Sequence, residues 1–213
     1  MALPLILVAA SGLAREAAEA VRADGKYEPI GFVDDNEDRW GSTLAGLKVL
    51  GDVSSVASFP DAALILCAGK GKSRQAIADR LTAEGVDEGR YATVVHPNVA
   101  LPVSCSVGVG SVILGGCVLT ADVTLGRHVV CMPNVTLTHD DQVEDFATLC
   151  AGVTLGGSVH IGTRAYIGMH TSVRENRVIG RDALVGMGSV VLSDVPVGQT
   201  WFGSPASNKA APV

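Results

Sequence analysis

Two hydrophobic rhythms divide the chain. Up to about residue 95, short aliphatic runs alternate with stretches whose apolar residues recur at helical spacing. Residues 3–10 read as a strand, broken at Ser11-Gly12, and residues 13–23 follow with alanine-rich helical spacing. Residues 30–33 form a second strand that runs into Asp34-Asp35-Asn36. Residues 64–67 form a third, followed by Gly69-Lys70-Gly71. Residues 73–83 read as a helix with Gly85 past its end, and 91–95 as a fourth strand stopped by His96-Pro97. Strand–helix–strand alternation predicts a small parallel sheet with right-handed crossovers, an α/β Rossmann-like half.

From Val107 the period becomes six. VGVGSV, ILGGCV, LTADVT and LGRHVV open a series of sixteen hexapeptides that ends at VGQTWF without one insertion. The first position is Val, Ile or Leu in fifteen of them, and Cys131 is the exception. The second position is Gly in half, and the fifth is mostly small or Val. One aliphatic per six residues is expected to point inward, and three hexapeptides make an 18-residue triangular turn. Neighbouring turns then stack at about 4.8 Å, with Gly and small residues expected at the sharp corners.

In such a solenoid, residues 18 apart lie one above the other. His139 therefore sits beside Gly157, whose backbone N–H has no side chain in its way. An imidazole next to a bare amide suits acyl transfer: the ring takes a proton and the amide donates to the oxyanion that forms. Asp140, or less directly Asp141, is positioned to orient the ring and to stabilise its protonated form. A lone histidine in a repeat is equally well a surface residue. His128, His160 and His170 occupy other positions and none stacks 18 residues from another, so no metal site is expected.

Composition narrows the function classes. The balance of 16 basic against 22 acidic residues, net −6, gives no electrostatic case for nucleic acid or an anionic membrane. Aromatic residues at 4% leave little for base stacking. The opening apolar run is short and lacks a basic flank, so a soluble, cytoplasmic protein is expected, with no membrane insertion. Five cysteines without a CxxC read as small buried hydrophobes rather than disulfides or zinc ligands. In the first half, the Ser11-Gly12 turn opening a helix offers N–H groups to a diphosphate. Asp34 and Asp35 stand where carboxylates accept from a base or ribose, and Lys70 could neutralise phosphate. An N-cap, a solvated acidic turn and a solvated lysine explain the same residues.

The hexapeptide metre resembles that of the hexapeptide-repeat acyltransferases, whose fold is a left-handed parallel β-helix, and Gly203-Ser204-Pro205-Ala206 looks like that family's tail. Ala9-Ala10-Ser11-Gly12, Asp34-Asp35 and His139-Asp140 narrow the resemblance to the sialic acid and bacillosamine acetyltransferase subgroup. The resemblance implies residues 1–97 as a Rossmann-like nucleotide-sugar domain and 98–213 as a β-helix that binds acetyl-CoA and carries catalysis. It implies a homotrimer with acetyl-CoA between adjacent helices, along Thr148, Gly157, Met169, Gly186, Met187, Ser204 and Pro205. His139 becomes the base, Gly157 the oxyanion donor, and Ser11, Gly12, Asp34, Asp35 and Lys70 the substrate residues.

The implied reaction is N-acetylation at C4 of a nucleotide-linked 4-amino-4,6-dideoxysugar, either GDP-perosamine or a UDP-linked bacillosamine precursor. An O-acetyltransferase on sialic acid or another small hydroxyl acceptor, and a non-catalytic scaffold, are the alternatives. Two departures stand out. Leu13-Ala14 replace the family's usual Gly-His-Gly continuation, and the loop lacks the full G-x-G-x-x-G fingerprint. Thr148 stands where a second histidine is common, nine residues after the base.

Overall fold

A computed structural model describes residues 2–208. The first half builds β1 (Leu3–Val8), α1 (Gly12–Asp24), β2 (Tyr27–Val33), a hairpin of β3 (Thr43–Leu44) and β4 (Leu47–Lys48), then β5 (Ala63–Leu66) and α2 (Gly71–Ala83). The sheet is parallel in the order β2-β1-β5. Ser11 caps α1, its Oγ accepting from the Ala14 N–H, and Gly25 ends it at φ +70° with its N–H on the Val21 carbonyl. Leu13, Ala14, Ala17, Ala18 and Val21 form the buried stripe of α1.

Val94–Val95, expected as a fourth strand of this sheet, pairs instead with Val112–Ile113 and starts the next architecture as β6. Only an isolated bridge from Tyr91 to Leu64 joins that segment to the N-terminal sheet. From β6 to Val190–Val191, two-residue strands pair in parallel at a register of 18, as Thr136↔Thr154 and His160↔Val178 show. The last turn is two residues shorter, with Ile179 opposite Val195 and Leu184 opposite Thr200, so the period of six expected through residue 202 breaks after Val191. They form the three faces of a prism, a β-solenoid of about 6 turns. The first face carries Thr136–Leu137 and Thr154–Leu155, the second Gln142–Val143 and His160–Ile161, the third Thr148–Leu149 and Tyr166–Ile167.

Two details of the repeat differ from expectation. Two positions per hexapeptide point inward: Leu137, Val143 and Leu149 come from the first, Val123, Val153 and Val159 from the fifth. Second, the left-handed corner recurs every six residues, at the fourth position of each hexapeptide from Gly110 to Gly188, and is filled mostly by Asp, Asn, His, Ser and Arg, as at Asp122, Asn134, Asp140 and Ser158. Polar residues tolerate that conformation because their side chains bond locally. The second-position glycines serve close stacking of rungs instead: a Cβ on Gly162 would lie 2.5 Å from the Arg181 nitrogen.

The N-terminal domain rests on the third face. Val94, Val112, Leu114 and Val130 share one core with Leu13, Ala17 and Val21. Gly71 opens α2 against the prism, where a Cβ would collide with the Phe146 carbonyl. The guanidinium of Arg74, buried in this seam, donates to the carbonyls of Ala68, Gly69, His128, Phe146 and Ala147 and to the Thr148 hydroxyl. All five cysteines are free thiols. No helix among the described residues is long and apolar enough to cross a membrane.

Candidate active site

His139 and Asp140 form the edge between the first and second faces, on the turn from Thr136–Leu137 to Gln142–Val143. The ring Nδ1 lies 2.8 Å from the Asp140 Oδ2. With Nδ1–H donated to that carboxylate, Nε2 keeps a free lone pair. One turn further along, a Cβ added to Gly157 would overlap Nε2 and Cε1 of His139. Any side chain there would displace the ring, so Gly157 is the residue that lets imidazole and peptide meet. Among the described residues the Gly157 N–H has no backbone acceptor, while the neighbouring Ser158 N–H bonds the His139 carbonyl at 2.9 Å. The ring is 65% exposed in the single chain.

Asp141 turns the other way. It is fully buried, and its carboxylate accepts from the N–H groups of Thr138 and Val159. Asp140 is therefore the carboxylate in contact with the ring.

Thr148 does not fit the expected role beside a bound acetyl group. It is fully buried under the N-terminal domain, where its hydroxyl donates to the Gly69 carbonyl at 3.0 Å and accepts from Arg74. The residue lies on the third face, and the seam leaves no hydroxyl for a ligand. Met169 and Met187, 18 apart and exposed, stand on the edge that follows the third face. Gly186 donates to the Trp201 carbonyl at 2.8 Å, and Ser204-Pro205, a cis peptide, follows directly on that strand. These residues gather at one end of an edge distinct from the His139 edge, so one chain does not bring the two sets together.

In the N-terminal domain, a cleft of about 370 Å³ is lined by Ser11, Gly12, Arg15, Arg39, Ser42 and Thr43, among others. The Ser11 hydroxyl is committed to the fold, donating to the Cys67 carbonyl at 2.7 Å. What α1 offers a ligand is the unpaired N–H groups of its first turn. Asp34 ties the ends of β1 and β2 together, accepting from the Ala10 N–H at 2.7 Å and pairing with Arg39 at 3.3 Å. Asp35 is held by Arg80 at 2.9 Å and by the Val53 N–H, and does not line the cleft. Lys70 lines a different cleft, of about 360 Å³, with Lys72, Arg164 and Tyr166 between α2 and the third face. Its expected place beside Ser11 and Gly12 does not hold, because α2 starts against the prism rather than over β1. Arg15 and Arg39 were not anticipated; Arg15 falling in the first turn behind the capping serine was the available signal. Among the described residues no group of three or more His, Cys, Asp or Glu is placed to hold a metal ion.

Comparison with known proteins finds the same fold. Residues 4–81 match the PglD N-terminal domain family. The acetyltransferase domain of PglB from Neisseria gonorrhoeae, solved with acetyl coenzyme A, superposes with a TM-score of 0.89 at 27% identity, over 98% of this chain and 100% of that one. PerB from Caulobacter crescentus, solved with CoA and GDP-perosamine, gives 0.88 at 25% identity over 97% of each chain. WeeI from Acinetobacter baumannii gives 0.84 at 27%, over 96% of this chain and 99% of that one. An acyl-[acyl-carrier-protein]–UDP-N-acetylglucosamine O-acyltransferase of Pseudomonas putida is 34% identical over 90 residues, 42% of this chain and 35% of its own length. The chain thus spans about a third of the length of the curated relatives it matches. A segment that matches the PglD N-terminal domain, followed by a hexapeptide-repeat β-solenoid, makes the chain similar to the hexapeptide-repeat sugar acetyltransferases.

Proposed function

We propose that this protein is an acetyl-CoA-dependent N-acetyltransferase acting on the C4 amine of a nucleotide-linked 4-amino-4,6-dideoxysugar. The observation that carries the reading is the contact of the His139 ring with the side-chain-free Gly157. The amine lone pair attacks the thioester carbonyl carbon and forms the N–C bond. The Gly157 N–H donates to the oxyanion. His139 Nε2 takes the proton that the new ammonium releases, with Asp140 holding Nδ1–H. Collapse breaks the C–S bond, and the proton passes from the imidazole to the departing CoA sulfur. No covalent enzyme intermediate is needed.

The cleft at Ser11 and Gly12 holds the nucleotide diphosphate, with Arg15 and Arg39 as its countercharges. GDP-perosamine is the first candidate and UDP-linked bacillosamine precursors the second, on the likeness to PerB and to the PglB domain. Exposure of His139 argues for a homotrimer, in which the Met169–Met187 and Ser204-Pro205 edge of a second copy covers the thioester. Closure by another chain would exclude the water that now reaches the ring.

Thermal unfolding with GDP- and UDP-4-amino sugars, with and without CoA, tests the substrate assignment. A ligand that binds only the folded state raises the melting temperature, and an acetylation assay with the same sugars reads turnover. No shift with CoA or any nucleotide would point to a scaffold, and transfer to hydroxyl acceptors alone to an O-acetyltransferase. A second prediction follows from the missing side chain. Gly157→Ala is expected to push the ring aside and lower kcat by roughly 10²-fold, with little change in KM for the nucleotide sugar. Wild-type kcat in that variant would break the link between the stacked pair and turnover.

A further inference from the structure

Along the edge that carries His139, the fifth hexapeptide position reads Val123, Asp141, Val159. All three are buried, and Asp141 is the only buried acidic side chain among the described residues. A carboxylate between two valines in an apolar column is unfavourable unless its oxygens are bonded. Both are: Oδ2 accepts from the Thr138 N–H at 2.8 Å and Oδ1 from the Val159 N–H at 2.9 Å. Thr138 immediately precedes His139, and Val159 lies two residues past Gly157. On the following edge of the prism the fifth-position N–H of Ala165 and of Ala183 closes a local turn on the carbonyl three residues back. At Val159 the bond runs to a fifth-position side chain of the neighbouring rung, as the Val129 N–H does to the Ser111 hydroxyl.

We propose that Asp141 is a positioning residue for the His139–Gly157 pair: its carboxylate clips the corner that presents the imidazole to the corner that presents the bare amide, and so sets their spacing. The inference rests on the proposed role of His139. It separates two carboxylate tasks, since Asp140 contacts the ring and Asp141 contacts only the backbone on either side of the pair. A valine would fill the column but leave both N–H groups to other acceptors. The two corners would then keep the Ser158 N–H to His139 carbonyl bond and lose the side-chain clip.

The test is a comparison of Asp141→Val, Asp141→Asn and His139→Ala. Asp141→Val restores the residue type of the turns on either side and is expected to fold. Its kcat is expected to fall roughly 10–100-fold, the scale of a displacement of about 1 Å in a reacting constellation, with KM for both substrates near wild type. Asp141→Asn keeps the shape and one acceptor, should give a smaller loss, and serves as the measurement if the valine variant does not fold.

Thermal stability against pH gives an independent reading. Burial pushes the Asp141 carboxyl from 3.8 up to about 6, against the pull of its two N–H donors and of His139, with Asp140 adding to the rise. The folded value exceeds the unfolded one, so this group's stabilising contribution is full below about pH 4 and is lost as pH rises through about 6. Asp141→Val should remove that slope. Full kcat in Asp141→Val, or in Asp141→Asn if only that variant folds, beside an inactive His139→Ala would overturn this proposal alone. A loss confined to KM would overturn it as well. Full activity in His139→Ala would overturn the base assignment and this inference together.

Discussion

His139→Ala is expected to lower kcat by about 10²–10⁴-fold while KM for the nucleotide sugar stays near wild type. The magnitude follows from what the ring supplies. An amine becomes an ammonium as it attacks, and its proton must leave for the tetrahedral adduct to collapse forward. In the described residues the group placed beside the Gly157 amide with a free nitrogen is the His139 Nε2, because Nδ1 is engaged by Asp140 at 2.8 Å. Alanine leaves the Gly157 N–H, the cleft at Ser11 and Gly12 and the Met169–Met187 edge intact. Residual turnover should therefore reflect proximity and the amide alone. Because the ring is a surface group packed on a glycine, its removal should leave the melting temperature near wild type. Steady-state kinetics of the variant would check this. Unchanged kcat would remove His139 from the chemistry.

Arg74→Met is expected to cost roughly 3–5 kcal/mol of folding stability. Arg74 is fully buried and no carboxylate pairs with it among the described residues. Burial lowers its pKa to about 10, which still leaves the guanidinium charged at neutral pH. The charge is accommodated by carbonyls from both sides of the seam, at 2.7 Å from Phe146 and 2.8 Å from Ala68, and by the Thr148 hydroxyl at 3.0 Å. Methionine would fill the stem's space and leave the buried His128 and Phe146 carbonyls without this donor. Lysine would be little better, since one ammonium cannot span the fork of a guanidinium. Chemical denaturation should show the loss, together with protease cleavage near the seam. Wild-type stability in Arg74→Met would mean that the domains are held by the shared apolar core around Val112 and Val130 alone.

The legible part of the site was the part carried by the repeat. Once the period is six, the 18-residue turn follows, and His139 must stand over Gly157. The missed parts belong to the seam and the clefts. Arg74 sits in a helix whose other polar residues are ordinary surface groups, so nothing in its neighbourhood marks it as buried. Thr148 has the same outward register as Thr136 and Thr154; only the docking of α2 on the third face turns it from surface to core. Lys70 and Ser11 both follow strand ends, yet they line different clefts because α2 packs on the prism and α1 does not start there.

By itself the sequence determined the two architectures, the inward columns of aliphatic residues, the register of 18 and the facing of imidazole and bare amide. Those are local or periodic properties, and a strict period converts chain distance directly into spatial neighbours. Only the tertiary structure decided that Val94–Val95 belongs to the prism and that Arg74 and Thr148 lie in a dry seam. The same holds for the division of tasks, with Asp140 on the ring and Asp141 on the backbone. Each of these depends on how one non-repeating domain settles on one face of a repeating one, or on which way a single carboxylate turns at a corner. No spacing along the chain encodes either.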